Sequence, residues 1–593
     1  MRSEKYPVPL ILIFLLFCSL RLSSATVTTV GSGNWNSTVV NAPWPLGIVP
    51  ATTDYVIINT NNTVNITASQ SIAGVTLSTN GVVNFNTNNC TLTVNGGFVM
   101  NNNSVISGNG TTRMLLVSGN MDVSGPNKTI QNVAIQVNGT LNNSSGNLTL
   151  NTANTASKYF GNFVNAGTFV NNSNNVPFTV GGDFTNNGTF TSGTGRVTFT
   201  GAASNTISGS AALTTFGGGI TVNKGNSQNN ILEVTSVITM NNGGLTITNG
   251  TFKLSSASTF TPFTADPNIP VNARLWNNGG TMNSSASIDW TLLGKIQINA
   301  GSINFGTAIN DRIAPNSSGA TSGEIEIVSG TLSVTGRISS GANPWRYIMS
   351  GGTCSLGTLG NNTAGRDVFN LDNSTNGVFS MSGGTLVICN KGGGAGENLG
   401  YHNTATLGSG FTGGWLQMGT ASTATGSIMR VESSIPVYNL LVNAPSSTVQ
   451  IQTPAAPTVT FLQISNDITI QDGTLDISFL DTEVGGDWTN ASAVSDPLIE
   501  GTRKVTFDGN IAQSVSNSGS ANSMIFYNIE INNSFGTIPQ ITFSNNITAT
   551  NGFTLTSGNV NLNSTTLTLG TSAAAPGTLL RTSGFLYGGT FSR

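Results

Sequence analysis

Charged and aromatic side chains concentrate in one stretch of this sequence. Trp276, Asp289, Trp290, Asp311, Arg312, Trp345, Arg346, Tyr347, Arg366, Asp367, Tyr401, His402 and Trp415 all fall within 140 residues. Flat rings can lie under sugar rings, and acid or guanidinium groups can hold sugar hydroxyls. On that reading Trp345, Arg346, Tyr347, Arg312, Arg366, Tyr401 and Trp415 are the candidate ligand-binding residues. A second account stands beside it: Asp311-Arg312 and Arg366-Asp367 tie down their own loops while the tryptophans fill a core. An exposed ring favours binding and a buried one favours packing.

Catalysis finds fewer handles. Glycoside hydrolysis needs two carboxylates about 5 to 10 Å apart, and Asp311 with Asp367 is the candidate pair should their loops stack. Asp and Glu total only 24 in 593 residues and do not cluster. His402 is the sole histidine and reads as a loop residue, which leaves little for imidazole or metal chemistry. No Gly-x-Ser-x-Gly turn stands between a strand and a helix. Gly392-Gly393-Gly394 opens no helix, so a phosphate site is not expected, and calcium-loop motifs are missing. No cofactor and no metal are expected, and the chain does not read as an enzyme. Thr91-Leu92-Thr93 and Thr198-Phe199-Thr200 recur too irregularly for an ice-binding face. Asn36 and Asn65 head glycosylation triplets that matter only in a eukaryotic source.

The elements that must position these residues follow from composition. Charged residues are 8% of the chain, against roughly 25% in an ordinary soluble domain. Glycine occurs 72 times, without the three-residue period of collagen. Asn, Gly, Thr and Ser are poor helix formers, so a helical protein is excluded. Apolar residues at 37% come in short even pulses, unlike a disordered chain.

The first 25 residues read as a signal peptide: Arg2 and Lys5, an apolar run from Leu10 to Leu20, and a small-residue site at Ser23-Ser24-Ala25. The run is too short for a membrane span, and no later stretch approaches about 20 apolar residues. The mature chain would carry 18 basic and 23 acidic residues, which gives no electrostatic reason to bind nucleic acid or anionic lipid. Three cysteines remain, Cys90, Cys354 and Cys389. So few, and an odd number, cannot frame an exported protein with disulfides.

Repeats supply the stability instead. Val94-Asn95-Gly96-Gly97-Phe98 returns in variant form from Val117, Val137, Val164 and Thr185, at intervals of 23, 20, 27 and 21 residues. Periods of this size mark solenoids, whose single coils cannot bury an apolar face alone. Within each coil Val, Leu or Phe alternates with Thr or Asn at period two, then Gly or Asn-Gly breaks the run. The expected fold is all-β, a right-handed parallel β-helix with irregular coils and loop inserts. It would hold about two dozen coils and reach on the order of 110 Å, with Asn and Thr ladders between coils. A string of Ig-like sandwiches is the competitor, but sandwiches do not repeat one phrase every two dozen residues.

A longer repeat divides the chain. Val180-Gly181-Gly182-Asp183-Phe184-Thr185-Asn186 recurs as Val484-Gly485-Gly486-Asp487-Trp488-Thr489-Asn490, and Arg196-Val197-Thr198-Phe199 as Lys504-Val505-Thr506-Phe507, at offsets of 304 and 308. The plan is a leader over 1–25, an N-terminal solenoid over 26–265, a central segment over 266–435 and a C-terminal repeat over 436–593. In the centre Gly280, Gly301, Gly330, Gly352 and Gly384 each precede Thr or Ser at alternating short and long intervals of 21, 29, 22 and 32. The long coils carry inserts, Ile309 to Gly323 and Gly360 to Gly377, expected on one side where solenoids place binding surface.

Gly31-Ser32-Gly33-Asn34-Trp35, then Trp44, Pro50, Asp54 and Val56-Ile57-Ile58, resembles the N-terminal coil of large exported β-helix proteins of Bacteroidetes-type bacteria. The Val-Gly-Gly-Asp-Phe/Trp-Thr-Asn units and the Ser-Gly-Gly-Thr-Leu phrase at 382–386 are similar to repeats in those proteins and in filamentous adhesins. The resemblance implies a surface or extracellular adhesive role, delivered by type IX secretion. Relatives usually end in a distinct sorting domain, whereas this chain stops in mid-coil at Gly588-Gly589-Thr590-Phe591-Ser592-Arg593, implying a truncated reading or loss of the anchor. The expectation is a secreted or cell-surface structural or adhesive β-solenoid whose central segment binds extracellular polysaccharide. The alternative is an extracellular polysaccharide-active β-helix enzyme, a lyase or glycoside hydrolase using Asp311 and Asp367.

Overall fold

The computed structural model describes residues 24–593 apart from 109–111, 152–156, 173–176, 241–243, 264–265, 267, 319–320, 341–342, 362, 364–365, 372–376, 394–398, 406–409, 455–457 and 520–523. The expected leader lies outside the described residues except for its last two, and Gly394 of the triple-glycine loop lies outside them too. Stacked parallel coils form a β-solenoid of about 21 turns, and strands take about 56% of the chain, so the fold is all-β as the repeats require. The only helical turn among the described residues is Pro45–Gly47. No helix among them is long and apolar enough to cross a membrane. The chain divides into two compact units, one through Thr246 and one from Ile247. The boundary drawn from sequence at 435/436 falls inside the second.

In the first unit each coil supplies strands to stacked parallel sheets, one of which has ten strands from Gly33–Asn34 to Ile238–Met240. Alternation sets the faces: Val82–Phe85, Thr91–Val94 and Met114–Val117 each bury every second side chain. Register then builds interior columns. Val75, Phe98, Met121, Leu141, Phe163, Phe184 and Ile207 pair in succession through seven coils and are all buried. Phe163 and Phe184 stack with ring centroids 4.7 Å apart and planes within 5°.

Asparagine has two jobs here. At one corner Asn61, Asn80, Asn103 and Asn127 take left-handed φ values of 53 to 63°, a conformation that Asn tolerates better than most residues. Inside another corner Asn143 donates to Asn165 (2.7 Å), Asn165 to Asn186 (2.8 Å), and Asn186 to Thr214 Oγ1 (2.9 Å). That ladder satisfies buried amides coil by coil.

In the second unit the central glycine rhythm is a single corner. Thr281, Ser302, Thr331, Thr353, Thr385 and Trp415 pair in one register row, and the glycines before them stack. Gly301, Gly330, Gly352, Gly384 and Gly414 have φ of +73 to +90°. A Cβ on each would come within 2.1 to 2.7 Å of the carbonyl oxygen one coil below. Only glycine fits there. The interval from Gly384 to Gly414 is again long, so the short–long alternation stops at Gly384.

The inserts differ from expectation in one respect. Arg312–Pro315, expected inside an insert, is a wall strand with Ile313 and Pro315 turned inward. The excursion beyond it includes a small antiparallel pair, Ser317–Ser318 with Thr321–Ser322. The two inserts do meet: Asn310 Nδ2 donates to Thr363 Oγ1 (2.9 Å), and Thr363 N to Asn310 Oδ1 (3.1 Å). The long repeat holds in detail within each unit. Asp183 Oδ1 accepts from Thr206 N (2.8 Å), and Asp487 Oδ1 accepts from Ser514 N (2.7 Å).

Candidate functional site

The aromatic residues expected at a sugar-binding face divide by strand parity. In Arg346–Met349 the buried positions are Tyr347 and Met349, so Tyr347 enters the core while Arg346 faces out. Trp345, Tyr347 and Tyr401 are 0, 0 and 1% exposed, which corrects their assignment to a ligand face. They fill the interior: Tyr347 stacks on Phe379 at 5.5 Å, Phe369 on Tyr401 at 5.3 Å, and Trp345 lies 5.6 Å from Phe369. Asn403 Nδ2 donates to the Tyr401 hydroxyl (2.7 Å), and Trp345 Nε1 to the Asn370 carbonyl (3.0 Å). Burial pushes the Tyr347 and Tyr401 phenols up. It also raises the Cys354 thiol to about 12 and the Cys389 thiol to about 11. Among the described residues Cys90, Cys354 and Cys389 are free and buried.

Arg346 belongs to an outward face that the sequence reading found only in part. Thr251, Arg274, Lys295, Glu324 and Arg346 form one register row, and Lys253, Trp276, Gln297, Glu326 and Ile348 the next but one. Lys295 Nζ pairs with Glu324 (2.7 Å) and Glu326 (2.6 Å), and Arg346 Nε with Glu324 (2.8 Å). Burial would push the Glu324 carboxyl up, but its bonds to Lys295 and Arg346 outweigh that and hold it below its usual value. Trp276 is half-buried, with Lys253 Nζ 4.5 Å and Arg274 Cζ 4.6 Å from its ring centroid. The overlooked signal is spacing. Arg274, Lys295, Glu324 and Arg346 each stand six residues before a corner glycine, so they share one row.

The remaining candidates lie within the two inserts and on the strands beside them. Arg312 pairs with Asp289 (3.0 Å) and is in register with Arg337, whose Nη1 donates to the Asn310 carbonyl (3.0 Å). Arg366 is exposed. Asp311 is buried and fully engaged by its surroundings: Ser287 Oγ (2.5 Å), Thr307 N (2.6 Å) and Ala308 N (2.9 Å) all donate to it. Asp367 instead accepts from Asn370 Nδ2 (2.5 Å) and faces His402 Nδ1 (3.2 Å). The strand that starts at Arg337 runs between those that follow Asp311 and Asp367, which sets the two aspartates about 10 Å apart along the stack. Their carboxylates thus engage different partners, at the upper end of the spacing that a glycosidase pair needs.

His402 corrects a second expectation. It lies on the strand Leu399–Asn403, in register with Asn370 below and Glu432 above. Its Nδ1 stands between Asp367 and Glu432 (3.8 Å), all three side chains being mostly buried. An imidazole thus stands between carboxylates of the coils on either side of it. Trp415 is half-buried, outside the wall above Thr385. A cavity of about 360 Å³ opens elsewhere, lined by Ser433–Pro436 and Thr458–Gln463. There Pro436 interrupts the wall and Val437 reaches Ile464 by a single bridge. Its lining carries no titratable group. Among the described residues no group of three or more His, Cys, Asp or Glu is placed to hold a metal ion. Compared with known protein families, curated proteins and solved structures, the chain matches none.

Proposed function

We propose that this chain is an exported structural or adhesive β-solenoid of a cell surface or matrix, and that the face around Trp276 binds extracellular polysaccharide. The observation that carries the reading is the outward array of Lys253, Arg274, Trp276, Lys295, Glu324, Glu326 and Arg346. It repeats at coil spacing on a parallel sheet. Four cations against two carboxylates favour an acidic, extended polymer. The test is a glycan array with the full chain beside an Arg274→Ala/Arg346→Ala variant. Uronate or sulfated glycans should be retained, with binding at least tenfold weaker in the variant and reduced by salt. A folded parent that retains no glycan overturns the reading.

One observation favours a second reading, an extracellular polysaccharide lyase or glycoside hydrolase. His402, held between Asp367 and Glu432, supplies a group for acid–base chemistry. Turnover of a polysaccharide by the parent, abolished in His402→Ala and Asp367→Asn, is the result that selects it.

A further inference from the structure

Lys224 follows the strand Ile220–Asn223 in the first unit and is fully buried, a rare place for an ammonium group. Its Nζ donates to the Thr200 carbonyl (2.9 Å) and to Asn205 Oδ1 (2.5 Å). Thr200 pairs in register with Asn223 one coil away, and Asn205 opens the next strand of that neighbouring coil. The lysine therefore spans a corner of the adjacent coil. Burial brings its pKa down to about 8, against the pull of the Asp183 charge, so a sizeable fraction is neutral amine in mildly basic solution. Asp183, on the coil beyond, accepts from Thr206 N (2.8 Å) and Thr206 Oγ1 (3.3 Å), fixing the residue next to Asn205.

The second unit contains an internal control. At the equivalent corner, Asn533 Nδ2 donates to the Ile511 carbonyl (2.9 Å) and to Gln513 Oε1 (2.7 Å). Asn533 stands where Lys224 does, and Gln513 where Asn205 does. A buried amide thus suffices to plug this corner, and packing alone does not call for a buried ammonium. The hydrogen bond from Lys224 Nζ to Oδ1 holds the amine beside the Asn205 carboxamide, the proximity that an intramolecular attack needs.

We propose that Lys224 and Asn205 join in an intramolecular isopeptide bond. The neutral Nζ attacks Cγ of Asn205, the Nζ–Cγ bond forms, and the Cγ–Nδ2 bond breaks. The side-chain nitrogen of Asn205 leaves as ammonia, taking up the proton that the amine releases. No oxidant or cofactor enters the balance. Lys224 is the nucleophile, and Asp183 is a positioning residue that holds Asn205 through Thr206. The crosslink ties neighbouring coils covalently at a corner, in a chain whose described cysteines are all free.

The test is the intact mass of the full chain under denaturing conditions, with peptide mapping, after incubation near pH 8.5. The expected mass is lower than that of the mature sequence by one ammonia, with a branched peptide joining the segments that contain residues 205 and 224. Lys224→Arg keeps a buried cation without a nucleophilic amine and should show the full sequence mass, as should Asn205→Ala. Asp183→Asn should form the bond more slowly than the parent after refolding. A parent at its full sequence mass, with an unmodified Lys224 peptide, overturns the proposal even if every variant fails to fold.

Discussion

Lys128 shows how a single side chain shapes the behaviour of a coil. It is fully buried and gives Nζ to the Ser145 carbonyl (2.9 Å), and burial lowers its pKa to about 8 from an ordinary value near 10.5. Below about pH 8 the ammonium is protonated in both folded and unfolded chains, and its contribution does not change with pH. Between about 8 and 10.5 the unfolded chain holds the proton and the folded one does not, so stability rises with pH across that window. The parent should therefore gain on Lys128→Met by on the order of 1–3 kcal/mol between pH 7.5 and 10. Urea midpoints of the two proteins across that range measure the difference. Parent stability minus variant stability that stays constant or falls as pH rises would show that Lys128 keeps its proton on folding.

At the scale of the strand and its corner, much of the fold was legible and much of the site was not. Period-two alternation and glycine intervals are written in single residues, so the coil, its corners and its length could be read directly. Ring placement was harder, because Arg346 and Tyr347 are neighbours that parity sends to opposite faces. Counting back six residues from Gly352 resolves the pair. Asp311 and His402 depended on three-dimensional partners: the N–H groups of Thr307 and Ala308 for one, and strands at Asn370 and Glu432 for the other. Leu-Gly-Tyr-His-Asn is too short and too glycine-interrupted to announce a strand by alternation. Two glycines separate backbone strain from close approach at the corner. Gly330 has φ +80° and a Cβ there would lie 2.6 Å from the Gly301 carbonyl oxygen, whereas Gly426 has φ +72° and open space around it. Gly426→Ala carries backbone strain alone, about 1–2 kcal/mol. Gly330→Ala must also move a neighbouring coil and should cost roughly 2 kcal/mol more. Thermal midpoints that fall equally in both variants would mean that strain, and not close approach, selects these glycines.

For the molecule as a whole, the consequence of coil stacking is that one turn is an exchangeable part. Among the described residues of the second unit, each coil pairs with the coil before and the coil after. Thr331–Val334, for example, pairs with the strand through Ser302 on one side and with Thr353–Leu356 on the other. Inward residues match along the column, Ile303, Leu332, Cys354 and Leu386 all being buried, so the next coil offers the same kind of partner as the one removed. Stability in such arrays is close to a sum of coil and nearest-neighbour terms. Deleting residues 331–352, one full interval between corner glycines, joins Gly330 to Thr353 and leaves every remaining register row intact. The expected outcome is a folded protein with the parent's strand-rich circular dichroism and a modestly lower unfolding midpoint. Deleting residues 331–341, half that interval, has the opposite effect despite removing less chain. It shifts each later strand off its corner, turns inward residues out and should abolish cooperative unfolding. Equal tolerance of the two deletions would contradict a structure in which register from coil to coil, rather than local strand propensity, holds the chain together.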